Sequence, residues 1–251
     1  MSRESLKKLS EKIVSTFGTN NIVCVLLHGS LLFNPHLIPQ DVDLIIILKK
    51  KSSGDCLKLR ELVIDLRMFE LPIHLHLIYL EEIPTNADYF SIHTCGSFFV
   101  CHLRQAETLF GKNIFDVVNG PSDYHLQLSL LQKVQQYTFQ LRNLIFKIEP
   151  ISEKEIRQTR KRTIVVLKDL LMSQGSLIQE ESEIFSQAAK YLYDFSPKEL
   201  EFLQELLTEW TVPSSSKDTL NFLQQCLAIH EQVYSLMRQQ VSENKKCRFF
   251  S

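Results

Sequence analysis

Residues 27–48 read LHGSLLFNPHLIPQDVDLIIIL, and two strands bracket this stretch. It begins at the end of an apolar, β-branched run, Ile22 to Leu27, short enough for a buried strand. It closes on Asp41 to Leu48, DVDLIIIL, a second strand. Residues two apart on a strand point to the same face. Asp41 and Asp43 therefore present two carboxylates together at the start of an apolar strand. Like charges this close repel, and a cation between them relieves the repulsion. Hard oxygen donors suit Mg²⁺, which commonly takes one or two carboxylates plus substrate phosphates. Gly29 has no side chain, so backbone N–H groups near it can approach a phosphate closely. Ser30 can donate its hydroxyl, and a helix starting there would aim its positive end at the same anion.

Outward from this stretch the first part of the chain alternates helix and strand. Ser2 to Phe17 has helical apolar spacing, stopped by Gly18. Ser52-Ser53-Gly54 ends the second strand, and Cys56 to Phe69 returns to helical spacing. Pro72 to Leu80, PIHLHLIYL, is a third strand, and the spacing predicts a helix over Ser91 to Phe110. Strands interleaved with helices imply an α/β (α+β) domain with a small mixed sheet, covered on at least one face. From Ser122 onward the strand signal ends. Helical stretches follow over Ser122–Lys147, Glu153–Met172, Glu180–Tyr193, Pro197–Trp210 and Lys217–Gln240. Pro150, Gly175, Pro197 and Pro213 punctuate an all-α helical bundle. The breaker triplet Asn119-Gly120-Pro121 places the boundary, giving domains 1–120 and 121–251.

Composition narrows the function classes. The chain has 251 residues, 44% hydrophobic and 23% charged, which excludes a disordered or collagenous protein. Lys plus Arg is 28 against 29 Asp plus Glu, so binding nucleic acid by bulk positive charge is not expected. No segment approaches the ~20 apolar residues of a membrane span. Met1 to Lys12 lacks the apolar core of a signal peptide. The six cysteines form no CxxC pair. The expectation is a reduced, cytoplasmic protein without a structural zinc knuckle.

The order of apolar strand, Gly-Ser, about ten residues and Asp-apolar-Asp in a second apolar strand resembles the nucleotidyltransferase signature of the DNA polymerase β superfamily. The match covers His28 to Leu48. With its helical second half, the chain is similar to small two-domain members such as the aminoglycoside nucleotidyltransferases. The resemblance implies a Mg²⁺-dependent nucleotidyltransferase with its site in the cleft between the domains. It would move AMP from ATP, or another nucleoside monophosphate from its triphosphate, to a hydroxyl of a small acceptor. Asp41 and Asp43 would hold the metal, and Gly29 and Ser30 would bind the β- and γ-phosphates. Leu109 to Gly111, followed by Lys112 and Asn113, looks like the segment leading into the second domain.

The sequence also departs from the pattern. Asn34 stands where many relatives have Gly, and Gln40 where many have Ser. The third acid is missing: His74 takes its place in the third strand, with Glu70 before it and Glu81 and Glu82 after it. His74 and His76 share a face, the side of the aspartates if the strand order is right. Neutral imidazole is a competent base, so His74 is the candidate general base. His28 reads as structural or as a pocket wall. In the helical half, Arg157 and Lys161 are candidates to neutralise a triphosphate, against the alternative of a solvated helix face. Glu180, Glu181 and Glu183 could attract a cationic acceptor or simply complement a helix start. Loss of the third acid keeps a second class open, a catalytically degenerate nucleotide-binding or antitoxin-like interaction module. The acceptor, the nucleotide preference and the oligomeric state are left open by the sequence.

Overall fold

The computed structural model describes residues 3–29, 41–66, 72–90, 96–176, 181–192 and 195–249. They form two compact units. One closes at Pro121; the other begins at Ser122 and also takes in Gly96.

The first unit opens with α1 (Arg3–Phe17), whose buried residues Leu6, Leu9, Ile13 and Phe17 follow helical spacing. Gly18 ends it with φ +83 and donates its N–H to the Val14 carbonyl at 2.9 Å, the left-handed stop that glycine takes most cheaply. Then come β1 (Ile22–His28), β2 (Val42–Leu48), α2 (Asp55–Leu66), β3 (Ile73–Tyr79), the short α3 (Phe98–Leu103) and β4 (Glu107–Gly111). The strands lie in the order β3-β2-β1-β4. β1 is antiparallel to β2 and β4, while β2 and β3 are parallel, joined through α2. A parallel pair needs such a crossover, whereas a tight hairpin suffices for an antiparallel one.

The unbroken apolar run of β2 follows from its place. Val42, Leu44, Ile46 and Leu48 pack with α1 and α2 on one face. Ile45 and Ile47 pack with Phe90, Val100, Leu103 and Phe115 on the other. All six side chains are fully buried, so both alternating sets must be apolar. β3 is an edge strand, and its start alternates half-buried Ile73, Leu75 and Leu77 with exposed His74 and His76.

One expectation fails here. The predicted helix over Ser91–Phe110 reduces to Phe98–Leu103 among the described residues, and Glu107–Gly111 is β4. Leu109 to Gly111 thus belong to the sheet of the first unit. Arg104 ends the helix: its guanidinium donates to the Phe115 carbonyl at 3.2 Å and also to that of Val118. β4 is a half-exposed edge strand of five residues, too short for periodicity to separate it from the helix before it. At its end Gly111 has φ +76, and a Cβ there would lie 2.1 Å from the Val23 carbonyl oxygen.

The second unit contains α4 (Asp123–Ile145), α5 (Glu153–Ser173), α6 (Glu181–Ala188), α7 (Pro197–Thr208) and α8 (Ser216–Phe249). α6 stops short of the predicted Tyr193. Local chemistry starts two of these helices. Ser152 with Glu155 and Ser196 with Glu199 form reciprocal capping boxes, the second with Pro197 in the first turn. α8 packs on α4 and α5. The bundle core buries a polar group too: Lys133 Nζ lies 2.9 Å from Asp169 Oδ1. No helix among the described residues is long and apolar enough to cross a membrane.

Candidate functional site

Strand register builds the site. His28 on β1 pairs opposite Asp43 on β2, and Asp43 lies beside His74 on β3. One row therefore crosses three strands on the face that carries Leu26, Ile45 and Ile78 further along. Asp41, two residues before Asp43, shares that face. His74 Nδ1 lies 3.3 Å from Asp43 Oδ1 and 3.8 Å from Asp41 Oδ2. The side chains are 20% (Asp41), 23% (Asp43) and 55% (His74) exposed, so the cluster is open to solutes.

Among the described residues this is the one group of three or more ligating side chains that could share an ion; its donor atoms lie within 4.8 Å of one another. Two ligand atoms each ~2.1 Å from one ion lie about 3.0 Å apart at right angles and about 4.2 Å apart in line. The 3.3 and 3.8 Å separations fall inside that range. Two carboxylate oxygens and an imidazole nitrogen thus fit a divalent cation.

Gly29 ends β1 with φ +81, and a Cβ there would lie 2.3 Å from Asp43 Oδ2 and 3.2 Å from Asp43 Cγ. The missing side chain does more than expose the backbone to a phosphate: it makes room for the Asp43 carboxylate. His28, just before it, is buried, and its Nε2 has no hydrogen-bond partner among the described residues. Burial pushes this imidazole below its ordinary pKa; the Asp43 charge opposes the shift and His76 adds to it. The ring meets Phe99 edge-on at 5.5 Å and lies 6.1 Å from the His76 ring. Phe99 continues to Phe90, and Phe90 to Phe115. In sequence alone His28 reads as structural or as a pocket wall; the register adds that it flanks Asp43. The signal was available only jointly: its parity with Leu26 and an antiparallel pairing with the Asp strand.

Ser30, Asn34, Gln40, Glu70 and Glu180 lie outside the described residues. Glu82 accepts the Tyr79 N–H at 2.9 Å and so caps a turn, while Glu81 is exposed. In the second unit Arg157 pairs with Glu153 at 2.6 Å, and its guanidinium sits 6.0 Å over the Trp210 ring. Lys161 and Glu183 are exposed. That unit also holds a cavity of about 370 Å³ lined by Phe202, Trp210 and Phe222 with Glu205, Glu209 and Asp218. None of the residues of the β1–β2–β3 row lines it. Buried Cys24 and Cys226 have their thiols pushed up to about 11 and about 12 by burial, which makes them poor nucleophiles.

No family model matches the sequence, and no characterised protein matches it by sequence. Among solved structures, the chain is similar to a spectinomycin adenyltransferase from Enterococcus faecialis, determined with ATP and spectinomycin. The TM-score is 0.60 at 11% identity, over 92% of this chain and 99% of that one. At this identity the likeness is one of fold: a small mixed four-stranded sheet with helices, nucleotidyltransferase-like, followed by a helical region.

Proposed function

We propose that this chain is a nucleotidyltransferase that moves a nucleoside monophosphate, AMP from ATP, to a hydroxyl of a small acceptor and releases pyrophosphate. One observation carries the reading. Asp41, Asp43 and His74 converge at the open start of β2 and β3, in a fold of the nucleotidyltransferase kind. Mg²⁺ or another divalent cation, when bound by Asp41 and Asp43, would offset the charge of the triphosphate and of the leaving pyrophosphate. The chain's own residues do the positioning. Gly29, just past the end of β1, and Ser30, next to it in sequence, are the residues that would receive the β- and γ-phosphates. The acceptor oxygen bonds to the α-phosphorus, and the bond from that phosphorus to the α–β bridging oxygen breaks.

His74 has two possible uses. With its Nδ1–H donated to Asp43, the ring presents Nε2 as a base for the acceptor's proton. With Nδ1 turned to an ion, it is a ligand instead. If the base role is real, His74→Ala slows turnover by roughly 10²–10⁴-fold; if His74 is a ligand, the same variant weakens metal binding. The test is pyrophosphate release across a panel of hydroxyl acceptors with ATP and divalent cation, and nucleotide binding measured alongside. Transfer that is lost in Asp41→Asn and Asp43→Asn, with the fold intact, supports the reading. Metal-dependent nucleotide binding without release by any acceptor favours the degenerate module. The histidine in place of the third acid motivates that alternative. Unchanged metal-dependent binding in both Asn variants refutes the site assignment.

A further inference from the structure

We infer that the Asp41–Asp43–His74 cluster selects a first-row divalent transition metal over Mg²⁺, with His74 Nδ1 as the discriminating ligand. The inference rests on the reading above for its location but not for its chemistry. Mg²⁺ demands near-ideal octahedral oxygen coordination and gives up its waters reluctantly. Imidazole nitrogen suits softer cations, and affinities of mixed nitrogen and oxygen sites rise from Mn²⁺ toward Cu²⁺. Two carboxylates and a neutral imidazole carry one negative charge fewer than three carboxylates. That weakens the purely electrostatic hold on a hard ion, and nitrogen donation to a transition metal offsets the loss.

The geometry points the same way. The imidazole nitrogen nearest both carboxylates is Nδ1, at 3.3 and 3.8 Å from their oxygens. Asp43 and His74 are register partners on adjacent strands, so the sheet itself holds oxygen and nitrogen together. When Nδ1 carries the ion, the proton moves to Nε2. The ring is 55% exposed, so that N–H can be solvated without a protein acceptor. Two rigid features fit the carboxylates to this role. Val42 and Leu44, on either side of Asp43, are fully buried, and Gly29 leaves room for the Asp43 oxygen. As a ligand His74 gives up the base role, and the transfer then draws its rate from positioning and charge, as phosphoryl chemistry largely does.

Mn²⁺ is the probe, because its electron spin reports both binding and ligand identity. Titration of the full chain without nucleotide, followed by the free Mn²⁺ resonance, gives the affinity, and Mg²⁺ competition gives the preference. Tighter binding of Mn²⁺ than of Mg²⁺ is expected; because Mn²⁺ stands lowest in the transition series and also suits oxygen donors, the nitrogen coupling and not the preference alone assigns the ligand. Pulsed resonance of the bound ion should show a ¹⁴N coupling. The coupling should survive His76→Ala and vanish in His74→Asp, whose Mn²⁺ preference should be smaller than that of the wild-type chain. Equal binding of the two metals by the wild-type chain overturns the inference. So does bound Mn²⁺ without ¹⁴N coupling, or a coupling that persists in His74→Asp. These wild-type measurements stand even if a variant misfolds. Failure here is separable from failure of the transferase reading. Nucleotide transfer with Mg²⁺ and no ¹⁴N coupling sinks only the metal inference. ¹⁴N-coupled Mn²⁺ without transfer sinks only the activity.

Discussion

Replacing Gly29 by alanine separates two explanations of this glycine. Its φ of +81 alone makes a side chain unfavourable, by about 1–2 kcal/mol for a non-glycine residue in the left-handed region. In addition, the new Cβ would sit 2.3 Å from Asp43 Oδ2. The carboxylate must swing away, and leaving its rotamer costs about 0.5–1.5 kcal/mol more. Gly29→Ala is therefore expected to destabilise by about 1.5–3.5 kcal/mol. Gly18 supplies the control, because it has φ +83 and nothing within 4 Å of an added Cβ. Gly18→Ala carries the backbone strain alone, about 1–2 kcal/mol. Urea denaturation reads both values. The decisive measurement is calorimetric titration of divalent cation without nucleotide. If Gly29 makes room for the Asp43 carboxylate, Gly29→Ala loses roughly tenfold or more in cation affinity, about 1.4 kcal/mol, and Gly18→Ala loses none. If Gly29 serves phosphate approach alone, Gly29→Ala weakens only nucleotide binding. Wild-type cation affinity in Gly29→Ala, with a destabilisation equal to that of Gly18→Ala, would refute the crowding argument.

Two further predictions concern the helical unit. His230 is buried, its Nε2 lies 3.0 Å from Thr163 Oγ1, and burial pushes its pKa down to about 3, with the Arg162 charge adding to the shift. The unfolded chain takes up that proton near 6.5. Stability is thus full above pH 6.5 and falls by about 1.4 kcal/mol per unit as the pH drops toward 3. Between pH 7 and 5 His230→Gln should lose about 2 kcal/mol less than wild type, and parallel urea midpoints would contradict this. Burial raises the carboxyl pKa of Asp169 while Lys133 pulls it back. Asp169→Ala removes the carboxylate 2.9 Å from the Lys133 ammonium. A loss of about 3–5 kcal/mol is expected, with partial recovery in Asp169→Leu combined with Lys133→Met. A loss under ~1 kcal/mol would show that the pair is not desolvated as its burial indicates.

Much of this protein was legible in its sequence because the deciding signals are local. The run from Val42 to Leu48 could be read as a strand because every side chain but that of Asp43 is buried against one layer or the other. The acids that begin it could be placed on one face because strand parity is a property of the chain itself. The helix starts expected at Glu153 and Pro197 hold for a similar reason, since the capping boxes Ser152–Glu155 and Ser196–Glu199 that fix them span only four residues each. β4 escaped because an edge strand of five half-exposed residues is defined by its neighbour β1, not by its own pattern. The meeting of His28, Asp43 and His74 depends on one antiparallel and one parallel register. A slip of one residue in either would turn a histidine to the opposite face. The crowding of Gly29 by Asp43 likewise joins residues 14 positions apart in sequence. Periodicity acts within a few residues and is written in the chain. The distance between an imidazole and two carboxylates is set by which strands pair, and that is decided only when both faces of the sheet bury their apolar layers at once.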